Sequence, residues 1–325
     1  MKRKIGFWLL ATLLLNIGSL AQAQQATKFS RIGFLSVASP SSLSPRLDAF
    51  RQGLRDLSYV EGKNIAIEYR SAEGKPDRLP ELASELVRLK VDCIFTAGTA
   101  PTRAAKQATS TIPIVMGNPG NPIQSGFVVS LARPGGNLTG LSSFSTELAG
   151  KRLELLKETI PNLSRLAFFW TPGSTDLALK ETEGAARLLK VQVIPVEVRS
   201  LDDLENAFES IAKKRANAVI TGGGGFFVTH QTKIVALAAK HRLPAMYPEQ
   251  EFVFAGGLMT YATSIPDLYR RAAVYVDKIL KGAKPGDLPV EQPIKFEFII
   301  NLKAAKQIGL TIPPNVLVRA DRVIR

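Results

Sequence analysis

Val91-Asp92-Cys93-Ile94-Phe95-Thr96 runs directly into Ala97-Gly98-Thr99-Ala100-Pro101-Thr102. The first six residues form a short apolar-rich run that ends at turn formers, which reads as a buried strand. In the second six, a glycine that lets a ligand approach the backbone, a hydroxyl and a proline suited to a first helical turn mark the start of a helix. The same alternation extends outward in both directions. Upstream, Ile32 to Val37 is a short apolar run, Leu47, Phe50, Leu54 and Leu57 recur at helical spacing, and Ile65, Ile67 and Tyr69 alternate as in a strand. Leu79, Leu82, Leu86 and Leu89 mark the helix that leads into Val91. After a short alanine-rich helix, Pro113 to Met116 reads as the next strand.

Downstream the order repeats. Helices are expected around Leu153, Leu156 and Ile160, through Ala178, Ala185 and Leu189, on Leu201, Leu204, Phe208 and Ile211, and on Ile234, Leu237 and His241. Strands are expected at Leu166–Trp170, Gln192–Val198, Ala218–Thr221 and Pro244–Tyr247. Strands separated by helices of this length call for parallel sheets covered on both faces with right-handed crossovers, so each half is expected to be a doubly wound α/β sandwich. Leu131 to Ser143 is rich in turn formers and is expected to link the halves, with the first crossing near Ser142. The tail adds a strand near Leu258–Tyr261, a helix with Leu268, Ala272, Tyr275 and Ile279 on one face, a Gly/Pro-rich stretch from Lys281 to Pro293, a strand Phe296–Asn301 and a helix Leu302–Ile308.

The chain has 325 residues, 45% of them apolar and 22% charged. That composition is globular, and the length suggests two domains. A single cysteine, Cys93, excludes an internal disulfide framework. His230 and His241 are the only histidines, too few to suggest a zinc site, and no metal is expected. Lys2, Arg3 and Lys4 precede an almost wholly apolar stretch from Ile5 to Leu20, and Ala21-Gln22-Ala23 supplies small residues at a cleavage site. Residues 1–23 therefore read as a cleaved secretory signal peptide, with the mature chain starting at Gln24. No cysteine stands at the cleavage point for lipid attachment, so the mature protein is expected to be free in the periplasm. Loss of Lys2, Arg3 and Lys4 lowers the formal net charge from +14 to +11. Lys and Arg are scattered without a dense block, so a cationic surface is expected and nucleic acid is not.

In open parallel sheets ligands bind beyond the carboxyl ends of the strands. The loops there are made almost entirely of Gly, Pro, Ser, Thr and Asn: Ala38–Ser42, Ala97–Thr102, Gly117–Pro122, Thr171–Thr175, Gly222–Gly225 and Pro248-Glu249. Thr99 offers a hydroxyl to a ligand or caps its own helix. Gly222–Gly225 lacks the Lys-Ser/Thr of a phosphate-binding loop and the third glycine of a dinucleotide fingerprint, so no nucleotide cofactor is expected; the run suits close backbone approach or a flexible loop. Trp170 and Tyr247 end strands and could stack on a ligand or complete the core. Glu249 could receive an ammonium group. No nucleophile, base and acid fall into a catalytic constellation, and no catalytic residue is assigned.

Four stretches carry a family likeness: Ala72-Glu-Gly-Lys-Pro-Asp-Arg-Leu-Pro-Glu-Leu-Ala83, Leu131-Ala-Arg-Pro-Gly-Gly-Asn-Leu-Thr-Gly140, Arg271-Ala-Ala-Val-Tyr-Val-Asp-Lys-Ile-Leu-Lys-Gly282, and Leu288-Pro-Val-Glu-Gln-Pro-Ile-Lys-Phe-Glu-Phe298 with Asn301-Leu-Lys303. Through them the mature chain resembles the bacterial ABC-transporter substrate-binding proteins of the group that includes tryptophan- and tyrosine-type binding proteins, with the type I periplasmic-binding fold. The resemblance implies two doubly wound parallel-sheet lobes joined by a three-segment hinge: residues 24–142 plus 264–291, and 143–263 plus 292–325. It implies a non-catalytic exported protein that captures a small solute, amino-acid-like, aromatic or anionic, and presents it to an ABC permease and its ATPase. By position, Ser36, Thr99, Ala100 and Asn118 are the implied contacts of the first lobe, and Trp170, Gly223 and Tyr247 those of the second. Family members often carry Asp-Pro where this chain has Asn118-Pro119, and Asn-Pro-Ala-Asn-Pro where it has Thr171-Pro-Gly-Ser-Thr175; the first departure removes an ammonium partner. A ligand-sensing subunit of a membrane receptor would use the same closure. A doubly wound enzyme would need an acid or base such as Glu249 in the cleft.

Overall fold

The computed structural model describes residues 29–325; the expected signal peptide lies outside the described residues. Among the described residues, twelve strands form two sheets. In the first, β1 (Ser30–Ser36), β2 (Ile65–Ser71), β3 (Cys93–Ala97), β4 (Ile114–Met116) and β5 (Leu138–Gly140) lie in the order β2-β1-β3-β4-β5, all parallel. In the second, β6 (Arg165–Trp170), β7 (Gln192–Glu197), β8 (Ala218–Thr221), β9 (Ala245–Tyr247) and β10 (Met259–Ala262) repeat that order as β7-β6-β8-β9-β10. Two further strands, β11 (Glu297–Asn301) and β12 (Arg322–Ile324), extend its edge.

The linking helices are α1 (Ser44–Asp56), α2 (Leu79–Arg88) and α3 (Thr99–Ala108) in the first half. The second half has α4 (Ala149–Thr159), α5 (Asp176–Leu189), α6 (Leu201–Lys213), α7 (Gly225–Thr229), α8 (Gln231–Lys240) and α9 (Gln250–Phe254). α10 (Ile265–Leu280), α11 (Leu302–Ile308) and α12 (Pro314–Leu317) complete the chain. Side-chain caps set some of their starts. Ser200 and Asp203 close a reciprocal capping box on α6, and the Ser264 hydroxyl accepts from the Asp267 N–H at the start of α10, each removing an unpaired donor from a first turn.

The chain passes between the sheets three times. It leaves the first after β5, builds β6 to β10, and returns as α10, which packs on α1; it then re-enters the second sheet as β11. Gly53 makes the α1–α10 contact close, because a Cβ there would come within 2.3 Å of the Arg270 carbonyl oxygen. Before β11, the chain bridges Glu291 to Leu141 beside β5.

Two features differ from the sequence reading. The second sheet is mixed and not purely parallel: β11 runs antiparallel to β10, because the returning chain reaches the sheet edge from the opposite direction. The turn-rich stretch Leu131–Ser143 is not all linker, since Leu138–Gly140 forms β5 against Ile114–Met116. Gly140, at φ +127°, is required there: a Cβ would lie 2.3 Å from the Met116 carbonyl oxygen.

The cores are dominated by branched aliphatic and aromatic side chains. Phe50 stacks on Phe95, and Tyr269 of α10 meets Phe95 edge-on with centroids 5.0 Å apart. The ring of Tyr269 thereby ties the returning helix to the first sheet. No helix of the described residues is long and apolar enough to cross a membrane.

Candidate functional site

Both sheets have their topological switch point beside the first strand of the unit, between β1 and β3 and between β6 and β8. The loops that leave the strand ends there face one another. At each switch point a glycine begins the next helix in the same rare conformation, Gly98 at φ +101°, ψ −176° before α3 and Gly224 at φ +102°, ψ 171° before α7. That region is essentially restricted to glycine. The two halves thus present matching glycine turns to a shared cleft.

The cleft, counted together with its open mouth, spans about 560 Å³ of empty space. Thr99, Asn118 and Gly120 line it from the first half, and Ser174, Gly223, Gly224 and Glu249 from the second. The passages between the halves add Ser143, Ser145, Thr146, Thr263 and Ile265, and α4 adds Arg152. Thr99 does not cap its own helix; its hydroxyl accepts from the Gly120 N–H at 3.3 Å and holds the two loops together. Asn118 Oδ1 is buried and accepts no hydrogen bond from the described residues.

Two arginines organise the cleft's wall. Arg46 of α1 is buried, and it reaches across to the other half, where it pairs with Glu249 and, at 2.7 Å, with Glu251 Oε1. Burial pulls its pKa down, but Glu251 and Glu249 outweigh that and hold it well above the ordinary arginine value. The other oxygen of Glu249 accepts from the Gly224 N–H at 3.2 Å. Arg152 is also buried but makes no ion pair among the described residues. Its Nε donates to the Tyr261 carbonyl at 2.9 Å, Nη1 to the carbonyl and hydroxyl of Ser145 at 2.8 and 3.2 Å, and Nη2 to the Pro248 carbonyl at 3.4 Å. Burial lowers its pKa to about 10, with Glu249 opposing.

Of the seven positions expected from the sequence, Thr99, Asn118 and Gly223 line this cleft. Ala100 sits in an adjoining recess between the halves, with Val37, Pro172 and Phe226. The other three lie elsewhere. Ser36 is fully buried, its hydroxyl donating to the Ala38 carbonyl at 2.7 Å. Tyr247 is buried with its ring stacked on Phe252, because β9 points it into the core. Trp170 packs against the second half's apolar cluster. The half-buried rings of His230 and His241 each contact a phenylalanine, Phe226 and Phe208 respectively. Among the described residues no His, Cys, Asp and Glu gather into a group able to hold a metal ion.

Arg46 and Arg152 were the residues to find. Each falls on the apolar stripe of its helix, Arg46 four residues before Phe50 and Arg152 four before Leu156. A charge at a core-facing position signals a buried partner or a site.

Two α/β lobes that close on a polar cleft, with the chain crossing between them three times, define a hinged solute-binding protein. Residues 31–324 match the family model described as "ABC transporter substrate binding protein", and the chain belongs to that family. It is similar to a tyrosine-binding protein of Clostridioides difficile, 25% identical over 297 residues that span 91% of this chain and 85% of that protein. It also resembles a conserved domain protein from Vibrio cholerae, with a TM-score of 0.84 at 26% identity, covering 91% of this chain and all of that one. An ABC domain from Streptococcus pneumonia in complex with L-Trp superposes with a TM-score of 0.81 at 24% identity, over 91% of this chain and 99% of that one. The family binds solutes without transforming them, so the chain is a binding protein and not an enzyme. Membership implies work outside the cytoplasmic membrane together with a permease and an ATPase.

Proposed function

We propose that the chain is exported by a cleaved signal peptide over residues 1–23, captures one small solute between its lobes and presents the closed form to the permease. The lobes are residues 24–142 with 264–291 and residues 143–263 with 292–325. The solute is a small amino-acid-like or aromatic acid, in keeping with the tyrosine and L-Trp named for two similar proteins. Thr99, Asn118 and Gly223 contact it, joined by Arg152 and Ser174.

The observation that carries this reading is that both halves supply the walls of one cleft and bond to each other across it through Arg46 and Glu249. Contacts made to both lobes favour the closed state by the difference in affinity between closed and open forms. A micromolar Kd corresponds to about −8 kcal/mol, within reach of several hydrogen bonds and an apolar contact in a desolvated cleft.

Calorimetry of unfolded, dialysed and refolded mature protein against amino acids, aromatic acids and nucleosides tests this. Saturable one-to-one binding of at least one of them, recovered unchanged, is expected. Binding of none, or chemical turnover of any, contradicts it.

A further inference from the structure

We propose that His230 makes the meeting of the two lobes sensitive to acid: its ring is one side of a contact between them that protonation weakens, so solute is held at neutral pH and released as the medium acidifies. This inference rests on the solute-binding reading above and adds a control to it.

The contact is built from both ends of α7. At its start, Gly225 meets Val37 and Ala38 of the first lobe. Directly after its end, His230 lies against Gly74, which follows β2: a Cβ on Gly74 would come within 3.2 Å of His230 Nε2 and 3.5 Å of Thr229 Cγ2. Gly74 is buried, holds a left-handed φ of +79°, and donates its N–H to the Val37 carbonyl at 2.8 Å. Both ends of α7 therefore bear on one hydrogen-bonded unit of the first lobe. On its other side the imidazole packs on Phe226, with ring centroids 4.8 Å apart. Phe226 belongs to the same lobe and stays with the ring. Gly74 belongs to the other, so separation of the lobes removes that cover and lets water in.

The charges around the ring do not favour a second cation. Lys233, on the first turns of α8, repels it; Lys233 is itself paired with Glu205 of α6. On the first lobe, Glu73 and Lys75 flank Gly74, are exposed and carry opposite charges, and Asp77 beyond them acts on Arg199. α7 carries no charged residue. Burial, reinforced by Lys233, holds the His230 pKa below the ordinary histidine value. When the lobes part, the ring is rehydrated and its pKa returns toward about 6.5. Above that value the imidazole is neutral in both arrangements and does not oppose closure. As the pH falls through about 6.5 toward the lower value of the joined form, the separated form takes up the proton first and gains population. Solute, which favours the joined form, then binds more weakly.

The test is calorimetry on stripped mature protein at about pH 8 and about pH 5.5, the span in which an ordinary histidine changes charge. The solute is the tightest-binding of the amino acids, aromatic acids and nucleosides named above, with histidine omitted because it titrates in the same range. The dissociation constant of the native chain should rise more than about twofold on acidification. His230→Gln, which stays neutral, should bind like the native chain at the higher pH and lose most of the rise. His241→Gln, whose ring packs on Phe208 within the second lobe, should keep it. Since the chain has two histidines, loss of a signal in His230→Gln assigns the His230 imidazole resonance in NMR spectra. Its midpoint should lie at lower pH with solute bound than without, as linkage requires. An equal rise in the native chain and His230→Gln, no rise in the native chain, or the same midpoint with and without solute overturns the proposal while leaving solute capture intact. If no solute binds at either pH, solute capture falls and this inference falls with it.

Discussion

Val37 and Ala38 occupy the space where a side chain on Gly225 would go. A Cβ there would lie 2.5 Å from Val37 Cβ and 2.7 Å from the Ala38 nitrogen, and those two residues belong to the other lobe. The four-glycine run is therefore a contact surface for lobe closure, with Gly222 and Gly224 giving room to Thr175 and Ser174 of their own lobe. Gly225→Ala is expected to hold the lobes apart: solute affinity should fall by about 5-fold to 150-fold, since overpacking costs about 1 to 3 kcal/mol, while the thermal midpoint of the solute-free protein changes little. Calorimetry and a melting curve on the same variant check both halves of that statement; unchanged affinity contradicts it. The sequence left this run as either a close backbone approach or a flexible loop. It could not say to what, because the partner lies nearly two hundred residues away in the chain. The same limit applies to Trp170 and Tyr247, whose aromatic character suits a ligand or a core equally well. A one-residue difference in strand register decides which face each ring takes.

At the scale of elements, α1 and the start of α9 are joined by Arg46 with Glu249, the residue before that helix, and Glu251 of its first turn, all three largely buried. Such a group adds little net stability relative to apolar residues of similar size, but removing one partner leaves buried charge uncompensated. Arg46→Met is expected to destabilise the closed, solute-bound protein by about 3 to 5 kcal/mol. Combining it with Glu249→Gln and Glu251→Gln should restore most of that loss. Denaturant melts with saturating solute distinguish the cases, and equal stability of the single and triple variants contradicts the account. Element order was largely legible, because helices such as Leu201–Lys213 and Ile265–Leu280 keep an unbroken apolar stripe. Among the strands β5 and β12 escaped, three residues each, and so did the short helices α7, α9 and α12. Three residues carry no periodicity, and both strands exist because a distant edge pairs with them. The buried arginines left a signal, a charge on each apolar stripe, whose meaning depends on an element from the other lobe.

For the whole molecule, the recurrent strand order, 2-1-3-4-5 in each half, follows from a repeated strand–helix alternation and right-handed crossovers. That much can be derived from the residues. How the halves face each other depends on the three passages and on contacts such as those of Gly53, Arg46 and Gly225, which no local pattern contains. In the structure the halves meet through Arg46 with Glu249 and through Val37 at Gly225, and solute is expected to stabilise this arrangement over an open one. Small-angle scattering of the stripped mature protein, before and after saturation with a solute that calorimetry shows to bind, tests this most directly. The radius of gyration should fall on saturation, and it should remain at the larger value in Gly225→Ala at the same solute concentration. An identical scattering curve with and without bound solute would contradict the account.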